Sequence, residues 1–240
     1  MNPSRFQIVV AHYNEDLSWL HAYASNTIVY SKGLPPTEGK FLRVEQLPNI
    51  GRESHSYLHH LFHSYDSLAD ITMFTQGDIY NVNTDFDPHS NLPVYEMVSM
   101  ALKTPRGGIT SFAAMSETFI DWDGIRWHHG PKAKWLKVWG TTLVRARLTP
   151  AEFWKYIHGE EHPRALHVHA HCLFAIRAET ARRKPKEFWQ KLLNYFENNG
   201  ECNPEEGIYM DRFWFALFSE SHIIRGKSSF SSIHALDSKG

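Results

Sequence analysis

Short apolar runs that stop abruptly at polar residues dominate the first half of the chain. Residues 6–11, 27–30 and 71–75 are compact and apolar, which is typical of buried strands. Residues 41–47 alternate between apolar and polar positions and predict another strand. A helix that opens at Arg52 is predicted from apolar residues that recur at helical spacing. These residues are Tyr57, Leu58, Leu61, Phe62 and Tyr65.

The second half carries clearer helix boundaries. Thr149 is a predicted N-cap, Pro150 takes the first helical position and Glu152 completes a capping box. Residues 225–240 are rich in Ser, Lys and Gly, which predicts a flexible tail. The other predicted elements are strands at 108–114 and 165–176 and helices at 94–102, 179–198 and 209–218.

Alternating strands and helices predict an α/β protein with a mostly parallel sheet and helices on both faces. With 240 residues, of which 42% are hydrophobic, the chain has enough apolar residues for one large core. We therefore expect a single domain over residues 1–224, followed by the tail. Residues 121–139 show no clear period and predict a long irregular segment at a pocket or rim.

Charge and cysteine content restrict the class of protein. The formal net charge of -1 gives no overall attraction to DNA or to an anionic membrane. The two cysteines, Cys172 and Cys202, have no metal-binding spacing and fit a reducing compartment. The apolar run at 8–11 is too short for a signal peptide or a membrane span. We expect a cytoplasmic protein.

Dense polar clusters follow three of the predicted strands. They are His12-Tyr13-Asn14-Glu15-Asp16, Asn49-Ile50-Gly51-Arg52-Glu53 and Gln76-Gly77-Asp78. In open α/β sheets, ligands bind in the crevice beyond the carboxyl ends of the strands. A single cluster of this kind is typical of a capping loop, but three at equivalent strand ends predict a binding crevice.

Individual residues of the crevice suggest particular chemistry. Asp78 follows an apolar strand and a glycine, so it is a candidate base or metal ligand, and its alternative is to cap a turn at residues 79–81. Glu53 is a candidate for orienting a ligand amine or hydroxyl. Arg52 is a candidate for gripping a phosphate or carboxylate. A local ion pair at a helix start is the alternative for both.

Histidines form two patterns with metal-site spacing. On one continuous strand, His167, His169 and His171 would share a face, as a zinc site or with His171 deepest in the crevice. His59 and His63 have the helical zinc spacing, but the catalytic Glu of such motifs is missing. We expect surface or rim histidines there and assign no metal ligands.

Further charged segments allow two interpretations each. Asp211-Arg212, in the last predicted helix, supplies either a base for the crevice or a local ion pair. Residues 85–87 and 121–123 have the Asp-x-Asp form that can hold a divalent cation, but neither follows a strand. Residues 182–186 are strongly basic and form either an RNA-binding patch or a solvated face. Other members of such a patch would be Lys132, Lys134, Lys137, Arg145 and Arg147.

Several segments together resemble one known family. They include His-Tyr-Asn-Glu at 12–15, Tyr-Ser-Lys-Gly at 30–33, Asn-Ile-Gly-Arg-Glu-Ser-His at 49–55 and Asp-Arg-Phe-Trp at 211–214. Other matching segments lie at 74–78, 174–177 and 182–189. The chain resembles the fungal and plant family long described only as a domain of unknown function. That family has a Rossmann-like, glycosyltransferase-A-like fold, and its fungal members with a known function are arginine-containing cyclodipeptide synthases.

The resemblance implies an aminoacyl-tRNA-dependent transferase. Such an enzyme takes arginine from arginyl-tRNA and a second amino acid from another charged tRNA, and it closes them into a diketopiperazine without a cofactor. We expect catalytic roles for Asp78, Glu53, Asp211 and His171. Substrate-binding residues would be His12, Tyr13, Asn14, Glu15, Arg52, Gln76 and Arg212.

The chain departs from the family pattern at Asp211, where the family more often has Glu. It also lacks the active-site serine pattern of bacterial cyclodipeptide synthases, so a covalent aminoacyl-enzyme is not expected. Two other functions stay open at this point. One is a glycosyltransferase that uses a nucleotide sugar and a divalent metal, and the other is a binding module without turnover.

Overall fold

A computed structural model describes residues 5–80, 88–125 and 142–225. Its main sheet has six strands in the order β3-β2-β1-β4-β8-β5, and a smaller sheet has the order β6-β7-β9. The strands are β1 (Phe6–His12), β2 (Thr27–Ser31), β3 (Arg43–Gln46), β4 (Ile71–Gln76), β5 (Ile109–Ser111), β6 (Ser116–Phe119), β7 (Ala165–His169), β8 (Phe174–Arg177) and β9 (Ile223–Ile224). The two Asp residues of the 85–87 tripeptide, the lysines at 132, 134 and 137, and the predicted tail from 226 onward lie outside these residues.

The main sheet is mixed. Strand β1 pairs in parallel with β2 and β4, and β2 pairs in parallel with β3. Strand β8 is antiparallel to both β4 and β5. The α/β class is therefore confirmed, but the sheet is parallel only across its first four strands. Strand β8 breaks the parallel order because it enters at Phe174, opposite Phe74 near the end of β4, and runs backwards.

The prediction of a single strand over residues 165–176 is wrong. His171 and Cys172 have φ values of 73° and 55°, in the left-handed region that non-glycine residues rarely adopt. The chain turns there, so β7 joins the small antiparallel sheet and β8 joins the main sheet. The prediction that His171 shares a strand face with His167 and His169 is wrong for the same reason.

Six α-helices and several 3-10 turns complete the described residues. The helices are α1 (Arg52–His63), α2 (Val94–Leu102), α3 (Pro150–His158), α4 (Ala178–Ala181), α5 (Lys186–Asn199) and α6 (Glu205–Phe218). The 3-10 segments are Ser18–Asn26, Tyr65–Ser67, Ala170–Cys172 and Glu220–His222. The capping box of α3 is confirmed, because Thr149 Oγ1 accepts the Glu152 N–H while Glu152 accepts the Thr149 N–H.

The helix predicted over 179–198 is two helices. It breaks before Pro185, which is the N-cap of α5 and has no N–H for an α-helical hydrogen bond. The last helix begins at Glu205 rather than at Tyr209, so the acidic pair Glu205 and Glu206 lies in its first turn. Negative charge there is favourable because it faces the positive end of the helix dipole.

Apolar residues on both faces of the main sheet are covered. On β1, Val9 belongs to a core shared with α1, α5 and α6, while Ile8 and Val10 belong to a second core shared with α2. The first core also contains Val168 of β7, so the small sheet packs into the same apolar interior. In the described part of the chain, no helix has the length and apolar character needed to cross a membrane.

Candidate functional site

A cavity of about 410 Å³ opens at the edge of the sheet where β1, β2 and β4 end. Of the residues proposed from the sequence, it is lined by His12, Tyr13, Glu15, Arg52, Glu53 and Gln76. Its other walls come from Ala11, Lys32, Asn49, Thr142, Cys202 and Asn203. The three polar clusters therefore meet, as parallel strands require when their carboxyl ends share an edge.

The loop after β1 holds a carboxylate against the sheet. Glu15 Oε2 accepts the backbone N–H groups of Tyr13 and Asn14, at 2.6 and 3.1 Å. A Cβ at position 77 would lie 2.6 Å from the same oxygen, so the glycine there allows this close approach. His12 is buried and fixes the loop, because its Nδ1 contacts Ser31 Oγ and its Nε2 contacts the Glu15 carbonyl.

Asn14 lies on the other side of this loop. Its Oδ1 accepts the Leu34 N–H at 2.8 Å, and it lines a second cavity of about 280 Å³ rather than the first. His12 and Glu15 line both cavities. The loop after β1 is therefore the wall between two adjoining depressions.

The start of α1 is bent so that two charged side chains line the cavity. Gly51 and Arg52 both have left-handed φ values, 61° and 52°. Their N–H groups donate to the carbonyls of Glu201 and Cys202, which ties the turn to the loop before α6. Arg52 Nη1 donates to Asn203 Oδ1 at 2.9 Å, and Arg52 Nε lies 3.5 Å from Glu53 Oε2. Arg52 and Glu53 thus form the local ion pair, and both still line the cavity.

Lys32 is a cavity residue that the sequence analysis did not select. It directly follows β2, and its Nζ donates to the carbonyls of Ile50 and Arg52. Burial lowers the pKa of Lys32 to about 7, an effect that Glu53 opposes and Arg52 reinforces. The available signal was its position, since β2 ends at the same sheet edge as β1.

A buried thiol links two of the predicted carboxylates. Cys172 Sγ donates to Asp211 Oδ1 at 3.0 Å and lies 3.5 Å from Glu53 Oε1. Burial, together with both carboxylates, raises the pKa of this thiol well above its usual value, so it stays protonated and acts as a donor. Arg212 contacts Asp211 and lies 3.3 Å from Glu117. Asp211 and Arg212 therefore lie behind the cavity wall and reach it through Cys172 and Glu53.

Gln76, which lines the cavity, is hydrogen-bonded to His171, which does not. Gln76 Nε2 donates to the His171 carbonyl at 2.8 Å, which connects β4 to the turn between the two sheets. The His171 ring stacks on His89 with centroids 4.2 Å apart. Burial lowers the pKa of His171, and the nearby Asp211 partly opposes that shift. His171 is thus next to the acidic pair without lining the cavity.

Asp78 lies beyond the cavity lining. Its Oδ1 accepts the Tyr80 N–H at 3.2 Å, which is the turn-capping geometry considered as its alternative role. The Trp19 indole N–H donates to the neighbouring Gly77 carbonyl at 2.9 Å. Of the four carboxylates proposed from the sequence, the lining of the cavity therefore includes Glu15 and Glu53 but not Asp211 or Asp78.

The described residues contain no group of three His, Cys, Asp or Glu side chains placed to hold a metal ion. His59 pairs with Glu45 at 2.9 Å, and its ring stacks on His63. The rings of His167 and His169 lie 5.0 Å apart, next to that of His222.

Of the basic residues that the structure describes, Arg145 and the run at 182–186 lie at different ends of the parallel strands. Arg145 donates to Glu205 at 3.1 Å, near the cavity residues Thr142 and Asn203. The run at 182–186 follows the end of β8, where Arg177 pairs with Ile71 at the start of β4. It therefore lies at the amino ends of the parallel strands, opposite the cavity.

Comparison with known proteins gives one match. No curated protein and no solved structure matches the chain. The model of one protein family, described as a protein of unknown function (DUF3431), matches residues 8–231. This span includes every residue that lines the cavity. The chain belongs to the DUF3431 family.

Proposed function

We propose that the protein is an arginine-containing cyclodipeptide synthase. It would condense arginine from arginyl-tRNA with an amino acid from a second charged tRNA into a cyclic dipeptide. The observation that carries the proposal is one cavity lined by both carboxylates and cations: Glu15 and Glu53 with Lys32 and Arg52. Its volume, about 410 Å³, falls in the range of roughly 300–1,000 Å³ that is usual for small-ligand sites.

Glu15 is well placed to recognise a guanidinium group. Guanidinium is planar, always charged and donates several N–H groups, so carboxylates bind it with strong, oriented hydrogen bonds. Among the described residues, Glu15 accepts the backbone N–H groups of Tyr13 and Asn14. Both of them bind Oε2, which leaves Oε1 for a ligand. Glu53 is the second carboxylate of the cavity. Its Oε1 lies 3.5 Å from Cys172 Sγ, and the S–H of this cysteine is donated to Asp211.

The proposed reaction is aminolysis of an activated ester. The aminoacyl ester supplies the driving force, so the protein needs only to align two aminoacyl ends, accept a proton from the attacking amine and stabilise an oxyanion. Arg52 and the N-terminal turn of α1 supply positive potential for the oxyanion. We expect the reaction to take place in the cytoplasm, where charged tRNAs are available, and to need no cofactor.

The proposal predicts a product that can be detected directly. After expression in a bacterial host, which supplies charged tRNAs, mass spectrometry of the culture is expected to show arginine-containing cyclic dipeptides. In Glu53→Gln, loss of one charge-assisted interaction is expected to lower the yield by roughly 10- to 100-fold. Glu187→Gln is the matched control, because Glu187 is exposed on α5 and keeps full yield.

Two results would contradict the proposal. One is absence of such products from soluble, folded wild-type protein. The other is turnover of a nucleotide sugar in the presence of a divalent metal, which would favour the glycosyltransferase alternative. Binding of a nucleotide without turnover would favour a binding module.

A further inference from the structure

Lys32 is a partly buried cation in the wall of a ligand-sized cavity. Strand β2 delivers it to the sheet edge between the ends of β1 and β3. Its neighbours on the wall include Glu53 and Arg52 at the start of α1. A buried lysine costs free energy unless hydrogen bonds or a functional environment compensate for its lost hydration.

The hydrogen bonds of Lys32 account for two of its donor positions. Nζ donates to the carbonyls of Ile50 and Arg52, and no third partner exists among the described residues. A neutral amine has two N–H donors and one lone pair. In that form, both donors stay with the carbonyls and the lone pair is available to a ligand. The ammonium form would instead present its third N–H.

The carboxylates near the cavity already have other partners, since Glu15 is assigned to the substrate guanidinium and two more contact protein side chains. Glu53 is engaged by Arg52 and lies 3.5 Å from Cys172 Sγ. Asp211 is engaged by Arg212 and by the same thiol, and it does not line the cavity. Each of these two carboxylates already has a guanidinium beside one of its oxygens.

Burial favours the neutral amine of Lys32. It lowers the pKa of this side chain to about 7, while Glu53 opposes the shift and Arg52 adds to it. A general base is most effective when its pKa is close to the working pH. Lys32 therefore combines a position on the cavity wall, a free lone pair and a suitable protonation state.

We propose that Lys32 is the general base of the acyl transfer, an inference that rests on the proposed function. Lys32 Nζ takes the proton from the attacking α-amine as the new C–N bond forms on the ester carbonyl. The tetrahedral intermediate then collapses, the C–O bond to the terminal ribose breaks, and Lys32 returns the proton to that ribose oxygen. The same cycle forms the second amide bond and closes the ring.

The test compares wild type with Lys32→Arg, since arginine keeps the charge and donors but does not deprotonate. The substrate is bulk bacterial tRNA charged with all standard amino acids, and the rate of arginine-containing cyclic dipeptide formation is measured against pH. The wild-type rate is expected to rise about tenfold per pH unit and to level off above about pH 7. Lys32→Arg is expected to be about 100-fold slower.

The substrate amine also titrates in this range. The role of Lys32 is therefore judged from the difference between the rate–pH profiles of wild type and Lys32→Arg. Loss of the step near pH 7 in Lys32→Arg supports the base. An unchanged profile in Lys32→Arg overturns it, because a purely structural lysine is replaced by arginine without altering the pH dependence.

A second measurement uses wild-type protein alone. NMR of the protein labelled with ¹³C at lysine Cε is expected to show one lysine titrating near pH 7, whose signal is absent from Lys32→Arg. A spectrum in which every lysine titrates near its ordinary value overturns the inference even if the variant fails to fold. If wild type makes no cyclic dipeptide but one lysine titrates near pH 7, the proposed function fails, and Lys32 keeps only the property of an amine that is neutral near that pH.

Discussion

The two cysteines have opposite environments that their spacing does not reveal. Cys172 is fully buried between Glu53 and Asp211, whereas Cys202 is exposed and lines the cavity. Thiol reagents react with thiolates, so burial and a raised pKa protect Cys172. Cys202 therefore offers a chemical handle on the cavity.

Iodoacetamide is expected to modify Cys202 alone in the folded protein and both cysteines in urea. The added group occupies the cavity, so modified wild type is expected to lose most of its cyclic dipeptide synthesis. Peptide mass mapping before and after modification checks the site. Cys202→Ser treated in the same way is the control and keeps its activity, while rapid modification of native Cys172 would contradict its burial.

At the scale of elements, the first turn of α1 decides the shape of the cavity. Gly51 caps this helix with φ of 61°, and a Cβ there would lie 2.8 Å from Phe196 Cδ1 on α5. The start of α1 is thus fitted against α5. Any shift of it moves Arg52 and Glu53.

Comparison of Gly51→Ala with Gly159→Ala separates the cost of backbone strain from the cost of a steric clash with Phe196. Gly159 also has a left-handed φ, 74°, but nothing lies within 4 Å of a Cβ there. Gly159→Ala is expected to lower the free energy of unfolding by about 1 kcal/mol, the usual left-handed cost. Gly51→Ala is expected to lower it by about 3 kcal/mol, because the clash with Phe196 adds to that cost. Urea unfolding measures both free energies. Equal losses of the free energy of unfolding would show that α5 shifts to relieve the clash with Phe196.

At the scale of the whole molecule, buried histidines make the free energy of unfolding depend on pH. Burial lowers the pKa of His60 to about 3, with smaller contributions from Arg43 and His59. Burial also lowers the pKa of His55 to about 3 and that of His89 to about 4. Between these values and 6.5, the unfolded chain binds more protons than the folded one, so stability falls as pH falls through this window.

His60→Gln is expected to flatten this dependence. As the pH falls below about 6, the free energy of unfolding of His60→Gln is expected to increase relative to that of wild type, by up to about 1.4 kcal/mol for each pH unit of decrease. Urea unfolding at several pH values gives the two slopes. His21→Gln removes an exposed imidazole and is expected to run parallel to wild type. Equal slopes for His60→Gln and wild type would contradict a neutral, buried His60.

Local signals in the sequence determined much of the molecule. The apolar runs predicted β1, β2 and β4, and Thr149 with Glu152 predicted the start of α3, because burial and capping depend on residues close in the chain. The three polar clusters were expected to meet because the carboxyl ends of parallel strands lie at the same edge of a sheet. The site residues Glu15, Arg52 and Glu53 were predicted in this way and do line the cavity.

Only the tertiary structure decided the rest. The apolar pattern of 165–176 continues through His171, so the turn that divides it between two sheets depends on packing rather than on local preference. The lowered pKa of Lys32 arises because residues about twenty positions away bury it and supply its hydrogen-bond acceptors. Asp78 and Asp211 are both candidates from the sequence, but only the structure shows that Asp78 Oδ1 accepts the Tyr80 N–H and that Asp211 accepts the Cys172 S–H. Burial and charge pairing across the fold are non-local properties, and they determine which polar residues line the cavity.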